Sequence, residues 1–234
     1  INNSFDFRVI QVYNRSENSL KYFPSALQKT TSLSKIIKAD LYIISVPDDA
    51  IKSFSENLPF KNKLIVHTSG SVAMNELSDY NRKGVFYPLQ SFTKNTEVDF
   101  SEIPICIETN KSSDLELLKQ LGSSISNNVL EVSSEKREKI HLSAVILNKY
   151  VNYLYQIGSD LMNEQSLSFD LLKPLILETA NKINSLTPAE AQTGPAKRND
   201  KKTIEKQLHL LEESPYKNIY QDITNSILKK YNNH

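Results

Sequence analysis

The sequence predicts a doubly wound α/β sheet followed by an all-helical half. Two observations carry this. Short β-branched, nearly continuous apolar runs recur through the first half with helical stretches between them. That alternation implies a mostly parallel sheet covered on both faces, closed by right-handed crossovers. Beyond about residue 132 the strand pattern stops and apolar residues recur at helical spacing. Strands first and helices after mark two domains. We place the boundary at Val132, giving 1–132 to the α/β domain and 133–234 to the helical one.

The strands are expected at Phe7–Tyr13, Leu41–Val46, Lys63–Thr68, Val85–Tyr87, Ile103–Glu108 and Val129–Val132, with helices at Ser32–Lys38, Asp48–Leu58 and Asp114–Ile125. Ser134–Gln165 should then form one long helix, with Ile140, Ala144, Leu147, Val151, Leu154 and Ile157 as its apolar stripe. Further helices are expected at Phe169–Leu186, Lys201–Ser214 and Tyr216–Tyr231, with Asp200 as an N-cap and Gly194-Pro195 as a breaker.

A doubly wound domain needs a first central strand, a Gly-rich turn and a helix. None precedes Phe7, and no two of the five glycines are spaced for G-x-G-x-x-G. Either the chain binds no dinucleotide or it lacks its natural start. The first residue is Ile1, not methionine, and we read the first strand and Gly-rich loop as absent from this chain.

The 234 residues are 39% hydrophobic and 24% charged, as in an ordinary globular protein. A formal net charge of +1 makes no case for nucleic acid or a membrane surface. The single cysteine, Cys106, lies in an apolar run and reads as core. No membrane span, secretion signal or metal-ligand spacing is present, so the expected location is the cytoplasm. His209 and His234 read as surface residues.

Polar residues gather just past the strand ends, where open α/β sheets bind ligands. Asn14-Arg15-Ser16 follows the first strand. A carboxylate there would suit the ribose hydroxyls of NAD, whereas Arg15 with Ser16 suits the 2′-phosphate of NADP. A polar turn with Ser16 as N-cap explains the same residues structurally. Val46-Pro47-Asp48 ends the next strand and reads as a helix start on the same rim. His67-Thr68-Ser69-Gly70-Ser71 combines an imidazole, hydroxyls and a permissive glycine, and is equally a Ser/Thr turn. Tyr87 and Gln90 follow the next strand. On the long helix, His141, Asn148 and Asn152 share a face at spacings of seven and four, either as an interhelical network or as donors toward ligands. Thr193 and Arg198 sit in the interruption that follows.

Four blocks, HTSGS at His67–Ser71, GVFYPLQSF at Gly84–Phe92, IHLSAV at Ile140–Val145 and QTGPAKRND at Gln192–Asp200, resemble the Rossmann-like NADP oxidoreductases with a C-terminal domain of unknown function. The likeness runs from about Val9 to Leu228. Its wider kinship takes in pyrroline-carboxylate reductases, deazaflavin-linked NADP reductases and β-hydroxyacid dehydrogenases. The resemblance implies a Rossmann-type domain, NADP as cofactor, a small-molecule substrate, no nucleic-acid or membrane partner, and a homodimer built through the helical half. We expect reduction of a small carbonyl or imine, with His141 as the acid, His67 as the alternative, and Asn148 and Asn152 orienting substrate. Asn14, Arg15, Ser16, Val46, Pro47, Asp48, Thr68 and Ser69 would meet the cofactor; Ser71, Tyr87, Gln90, Thr193 and Arg198 would meet substrate. One departure stands out. β-Hydroxyacid dehydrogenases carry a lysine one turn before an asparagine on the long helix. Here Asn148 holds that place, and Lys149 lies about 100° further round a regular helix. The alternative is therefore a non-catalytic NADP-binding sensor.

Overall fold

The computed structural model describes residues 7–93 and 96–232. His234 lies outside them. The chain divides into two compact units, Ile1–Tyr150 and Val151–His234. Residues 133–150, grouped by sequence with the helical domain, lie in the first unit.

The first unit opens with β1 (Gln11–Tyr13), a short α1 (Glu17–Leu20) and β2 (Gln28–Thr30). β1 and β2 pair in parallel as a two-stranded sheet. β1 is shorter than expected: Phe7–Ile10 is not strand. β2 escaped the sequence reading because QKT holds no apolar run. The helix expected at Ser32–Lys38 is a single tight turn, Leu33–Lys35. Two side chains explain its failure to propagate. Thr30 Oγ1 accepts from Ser32 N, and the Gln11 amide takes up Lys35 O and Ile37 N, the groups an extended helix would use.

The main sheet has the order β3–β4–β5–β6–β7. Its strands are β3 (Leu41–Ile44), β4 (Leu64–His67), β5 (Arg82–Pro88), β6 (Ile105–Thr109) and β7 (Val129–Glu131). All neighbours are parallel except β5 and β6. α2 (Ile51–Glu56) connects β3 to β4, and α3 (Ser112–Ser123) connects β6 to β7.

Strand alternation divides the core between the two faces. Leu64, Val66, Phe86, Ile105 and Ile107 pack with Leu118 and Leu121 of α3. Ile65 packs with Ile44, Ile51 and Leu77, and Val85, Tyr87 and Cys106 pack with Met74 and Val132. Both faces are covered, as nearly continuous apolar strands require. Cys106 is core, and burial pushes its thiol pKa up. Arg82 of β5 grips Asp114 of α3 through Nε at 2.7 Å and Nη2 at 3.1 Å, fixing helix to sheet.

The long helix begins as α4 (Ser134–Ala144), where the Ser133 side chain accepts from Lys136 N. Val145–Tyr150 is then π-helical, which adds a residue to the turn. In the second unit α5 (Val151–Glu164) carries on the chain, followed by α6 (Lys173–Lys182), α7 (Pro188–Ala191), α8 (Lys201–Leu210) and α9 (Lys217–Asn232). Thr187 and Glu190 form a reciprocal capping box at α7, and Asp200 caps α8 by accepting from Thr203 N at 3.1 Å. Gly194 adopts φ +104, which suits the breaker expected there. Tyr216 donates to Asp160 of α5 at 2.5 Å. That carboxylate pushes the Tyr216 phenol up to about 12.

The expected apolar stripe is covered only in part. Ile157 is buried and Ile140, Ala144 and Val151 are half-buried, but Leu147 is 73% exposed. Among the described residues none of the helices is long and apolar enough to cross a membrane.

Candidate functional site

The turn after β4 is built from its own hydroxyls. Ser69 N–H donates to His67 Nδ1 at 3.2 Å, and Ser69 Oγ accepts from Ser71 N at 3.2 Å and Val72 N at 3.0 Å. Ser71 Oγ donates to Asp48 Oδ2 at 2.5 Å, joining the loop after β3 to the loop after β4. This hydrogen-bonded turn carries Gly70 against two rings. A Cβ on Gly70 would fall 2.4 Å from His141 Nδ1 and 2.8 Å from Tyr87 Cζ. Only glycine lets the backbone pass this closely.

Those two rings form the centre of the site. Tyr87, at the end of β5, and His141, on α4, meet edge-on with Oη 3.1 Å from Nδ1. Tyr87 is buried and His141 half-buried. Burial raises the Tyr87 pKa, so its hydroxyl keeps its proton at neutral pH. The phenol can donate to His141 Nδ1 or accept from an Nδ1–H, so the contact serves either protonation form of the ring.

His67 differs. It is fully buried, and burial, followed by the Arg137 charge, holds its pKa down at about 4. The Ala73 backbone acts the other way but does not meet hydrogen-bond geometry: among the described residues Nε2 has no partner. His67 is therefore a neutral ring at physiological pH, with Nδ1 committed to the Ser69 turn. It holds the loop in shape.

A buried polar cluster fixes α4 to this rim, and none of its members was singled out in the sequence. Arg137 is 1% exposed and donates to Glu108 Oε2 on β6 at 2.6 Å, to Ser134 Oγ at 3.2 Å and to the Val72 carbonyl. Ser134 donates to both Glu108 oxygens, through its amide at 2.9 Å and its hydroxyl at 2.7 Å. Its hydroxyl also accepts from Met74 N at 2.9 Å. Sheet, serine turn and helix start are thus tied together one turn before His141. The available signal was an arginine four residues before a histidine, at a spacing that shares a helix face.

The other expected residues fall in separate places. Asn14 Oδ1 accepts from Ser16 N at 2.9 Å in a local turn, while Arg15 and Ser16 are exposed. Ser16 occupies the N-cap position of α1 but makes no side-chain cap bond. Among the described residues Arg15 has no ion-pair partner. Val46 is half-buried, Pro47 and Asp48 are exposed, and Pro47 opens the helical turn as expected. Thr68 is half-buried beside Ser69. Gln90 folds back on its own turn, its Oε1 accepting from Ser91 N at 2.7 Å. Asn148 lies in the π-helical turn and Asn152 on α5, both exposed. The added residue of the π turn changes the phase of the helix, so the seven-residue spacing no longer puts Asn148 on the face of His141. Thr193 and Arg198 are exposed in the second unit. An open groove of about 410 Å³ there, between Pro188, Gln192 and α9, includes neither. Among the described residues no cluster of His, Cys, Asp or Glu is arranged to hold a metal.

No curated protein matches the chain. A crystal structure from Bacteroides fragilis, named a putative NADP oxidoreductase, is 37% identical, with a TM-score of 0.83 over 95% of this chain and 89% of that one. A Thermotoga maritima protein is 20% identical with a TM-score of 0.75, covering 95% of this chain and 92% of its own. An imine reductase of Streptomyces aurantiacus is 11% identical with a TM-score of 0.66, covering 92% and 84%, which speaks for a shared Rossmann-type fold alone. Residues 103–227, more than half of the chain, match the model of a domain of unknown function, DUF2520. With that match and the Bacteroides likeness together, the chain belongs to the DUF2520 family, a Rossmann-type α/β sheet followed by helices.

Proposed function

We propose that this chain is an NADP-linked oxidoreductase that reduces a small carbonyl or imine, with His141 as the proton donor and Tyr87 as the group that orients it. The observation that carries the reading is the Tyr87–His141 pair packed on Gly70 at the carboxyl ends of parallel strands, where open α/β sheets take ligands. The 37% identical Bacteroides protein, named for NADP, supports the cofactor.

The residues present fit that cofactor. Arg15 is an exposed cation without an ion-pair partner among the described residues, just past β1, suited to an adenosine 2′-phosphate. Asp48, Thr68 and Ser69 line the neighbouring strand ends. NADPH, when bound, supplies the hydride. The chain's own task is to bind, orient and provide a proton. As proton donor His141 would start doubly protonated, with its Nδ1–H donated to Tyr87 Oη, give the Nε2 proton to the substrate and end as the neutral ring. His67 is unsuited, since its pKa of about 4 and its burial leave it neutral and enclosed at working pH. Ser71 and Gln90, in the same unit, remain our candidates for substrate orientation.

The test is NADPH oxidation by the full-length protein on a panel of small cyclic imines and ketones. His141→Ala should lower kcat by about 10²–10³ with little change in KM, the usual scale of a lost general acid. Arg15→Ala should weaken NADPH about ten- to a hundredfold while sparing NADH, the value of one charge-assisted hydrogen bond of ~1.5–3 kcal/mol. Nucleotide binding without turnover on any member of the panel would favour a sensor. Equal loss for both nucleotides would remove Arg15 from the phosphate site.

We further propose that the protein is a homodimer through its helices. In the second unit the buried residues among those described are few: Ile157, Ala196, Ile204 and Thr224. Leu171, Leu175, Leu177, Ile183 and Leu210 are each more than 60% exposed. So large an open apolar surface on helices calls for a cover. A second copy with more than ~1,000 Å² of buried interface would provide it. Sedimentation at micromolar concentration should give twice the chain mass; a single monomeric species would end the proposal.

A further inference from the structure

We propose that Lys149 is the anion-recognition residue of this site and that the substrate carries a carboxylate; the proposal rests on the site assigned above. Lys149 lies in the π-helical turn Val145–Tyr150. In a regular α-helix a spacing of seven would align Asn148 with His141. The extra residue of a π turn moves that alignment on by one, so Lys149, eight residues on, takes the place Asn148 would have held. Its ammonium reaches back across 58 residues of sequence to donate to Ser91 Oγ at 2.9 Å. Ser91 lies four residues beyond Tyr87, on the segment that leaves β5 at the rim. The cation is thus held by a neutral hydroxyl on the segment that follows Tyr87.

Among the described residues Lys149 pairs with no carboxylate. Its charge is left for a ligand. A carboxylate stands at the serine turn: Asp48 is bonded to Ser71, the neighbour of Gly70. A substrate with a reducible centre at His141 and an anionic end would be repelled at Asp48 and attracted at Lys149, so one orientation is selected. The scale is that of a small molecule, since eight residues span about 12 Å of helix at ~1.5 Å per residue.

The probes are levulinate, a keto acid, and its methyl ester, offered to the full-length protein saturated with NADPH. Binding is read by ligand-observed NMR and turnover by nicotinamide absorbance. Levulinate should bind about tenfold more tightly than the ester, as one charge-assisted contact allows. Lys149→Met should abolish that preference by weakening levulinate alone, and Lys149→Arg should keep most of it. NADPH affinity should be unchanged in both variants. No saturable binding of levulinate, an undiminished preference in Lys149→Met, or a loss of NADPH affinity in that variant would overturn the proposal. Preferential levulinate binding without turnover would uphold the anion site while counting against the reductase reading.

Discussion

Replacing Gly70 with alanine should cost most of the activity, about 10²–10³ in kcat, while leaving the sheet folded. The added methyl would lie 2.4 Å from His141 Nδ1, 2.7 Å from its Cγ and 2.8 Å from Tyr87 Cζ, closer than carbon can approach. Gly70 is not among the residues with positive φ, so the backbone itself accepts alanine. The strain must be relieved by moving one of the two rings. His141 Cγ and Nδ1 lie close to their own backbone and cannot swing clear alone, so a ring must shift and the Tyr87–His141 hydrogen bond breaks. The expected loss is that of a displaced general acid. A double-mutant cycle makes the test specific: Gly70→Ala should add little to His141→Ala, because both remove one unit. The ¹⁵N shift of His141 Nδ1, which needs no substrate, should move in Gly70→Ala and in Tyr87→Phe alike. An alanine variant with full activity and an unmoved Nδ1 signal would show that the rings do not work as a pair.

Arg137→Met should be the most destabilising single change at the rim, by about 3–5 kcal/mol in urea unfolding at neutral pH. Arg137 is 1% exposed, and its partner Glu108 has a side chain only 17% exposed. Methionine roughly fills the volume but leaves the carboxylate facing Ser134 without its cation. Removing one member of a buried pair strands the other charge, which is costlier than never having had the pair. Arg137→Met combined with Glu108→Gln should therefore be more stable than Arg137→Met alone. A single variant that loses less than about 1 kcal/mol would mean that the cluster is a solvated contact. His67 offers an internal control. Removing the nearby Arg137 charge should let its pKa rise from about 4, because that charge is one of the causes holding it down.

Much of the fold was legible in the chain. β4, buried on both faces, could be read because its run is short, β-branched and followed by a Ser/Gly turn, which decides for strand where periodicity alone cannot. β5 ran longer than expected, Arg82–Pro88, because its first two residues are a pair of cations. Their stems lie along the sheet while Arg82 reaches Asp114 and Lys83 reaches Asp79. β2 was invisible because a strand of Gln, Lys and Thr is held by backbone pairing with β1, and hydropathy carries no trace of that.

The site was legible as a set of loops but not as an arrangement. His141 and His67 both stood as candidate acids in sequence, His141 first, and burial separates them. Arg137 was not singled out, since residues 134–139 are all polar and read as a solvated helix start. Only the meeting of β6 with α4 turns it into a buried partner of Glu108. Lys149 stood out of phase in the sequence because phase was counted on α-helical turns, and no residue pattern announces a π turn in advance.

The chain's one thiol has a practical consequence. Cys106 sits 1% exposed in the middle of β6, between β5 and β7, and burial keeps it protonated. A thiol reagent can reach it only when those strands part, and no second sulfhydryl competes for the reagent. Its rate of modification is therefore a clock for opening of the sheet, one that runs without a label, a substrate or a cofactor. The same seclusion leaves the surface vacant for engineering. A cysteine introduced anywhere on the helices would be the sole reactive handle on the molecule, so distances between copies could be read without first removing a native residue.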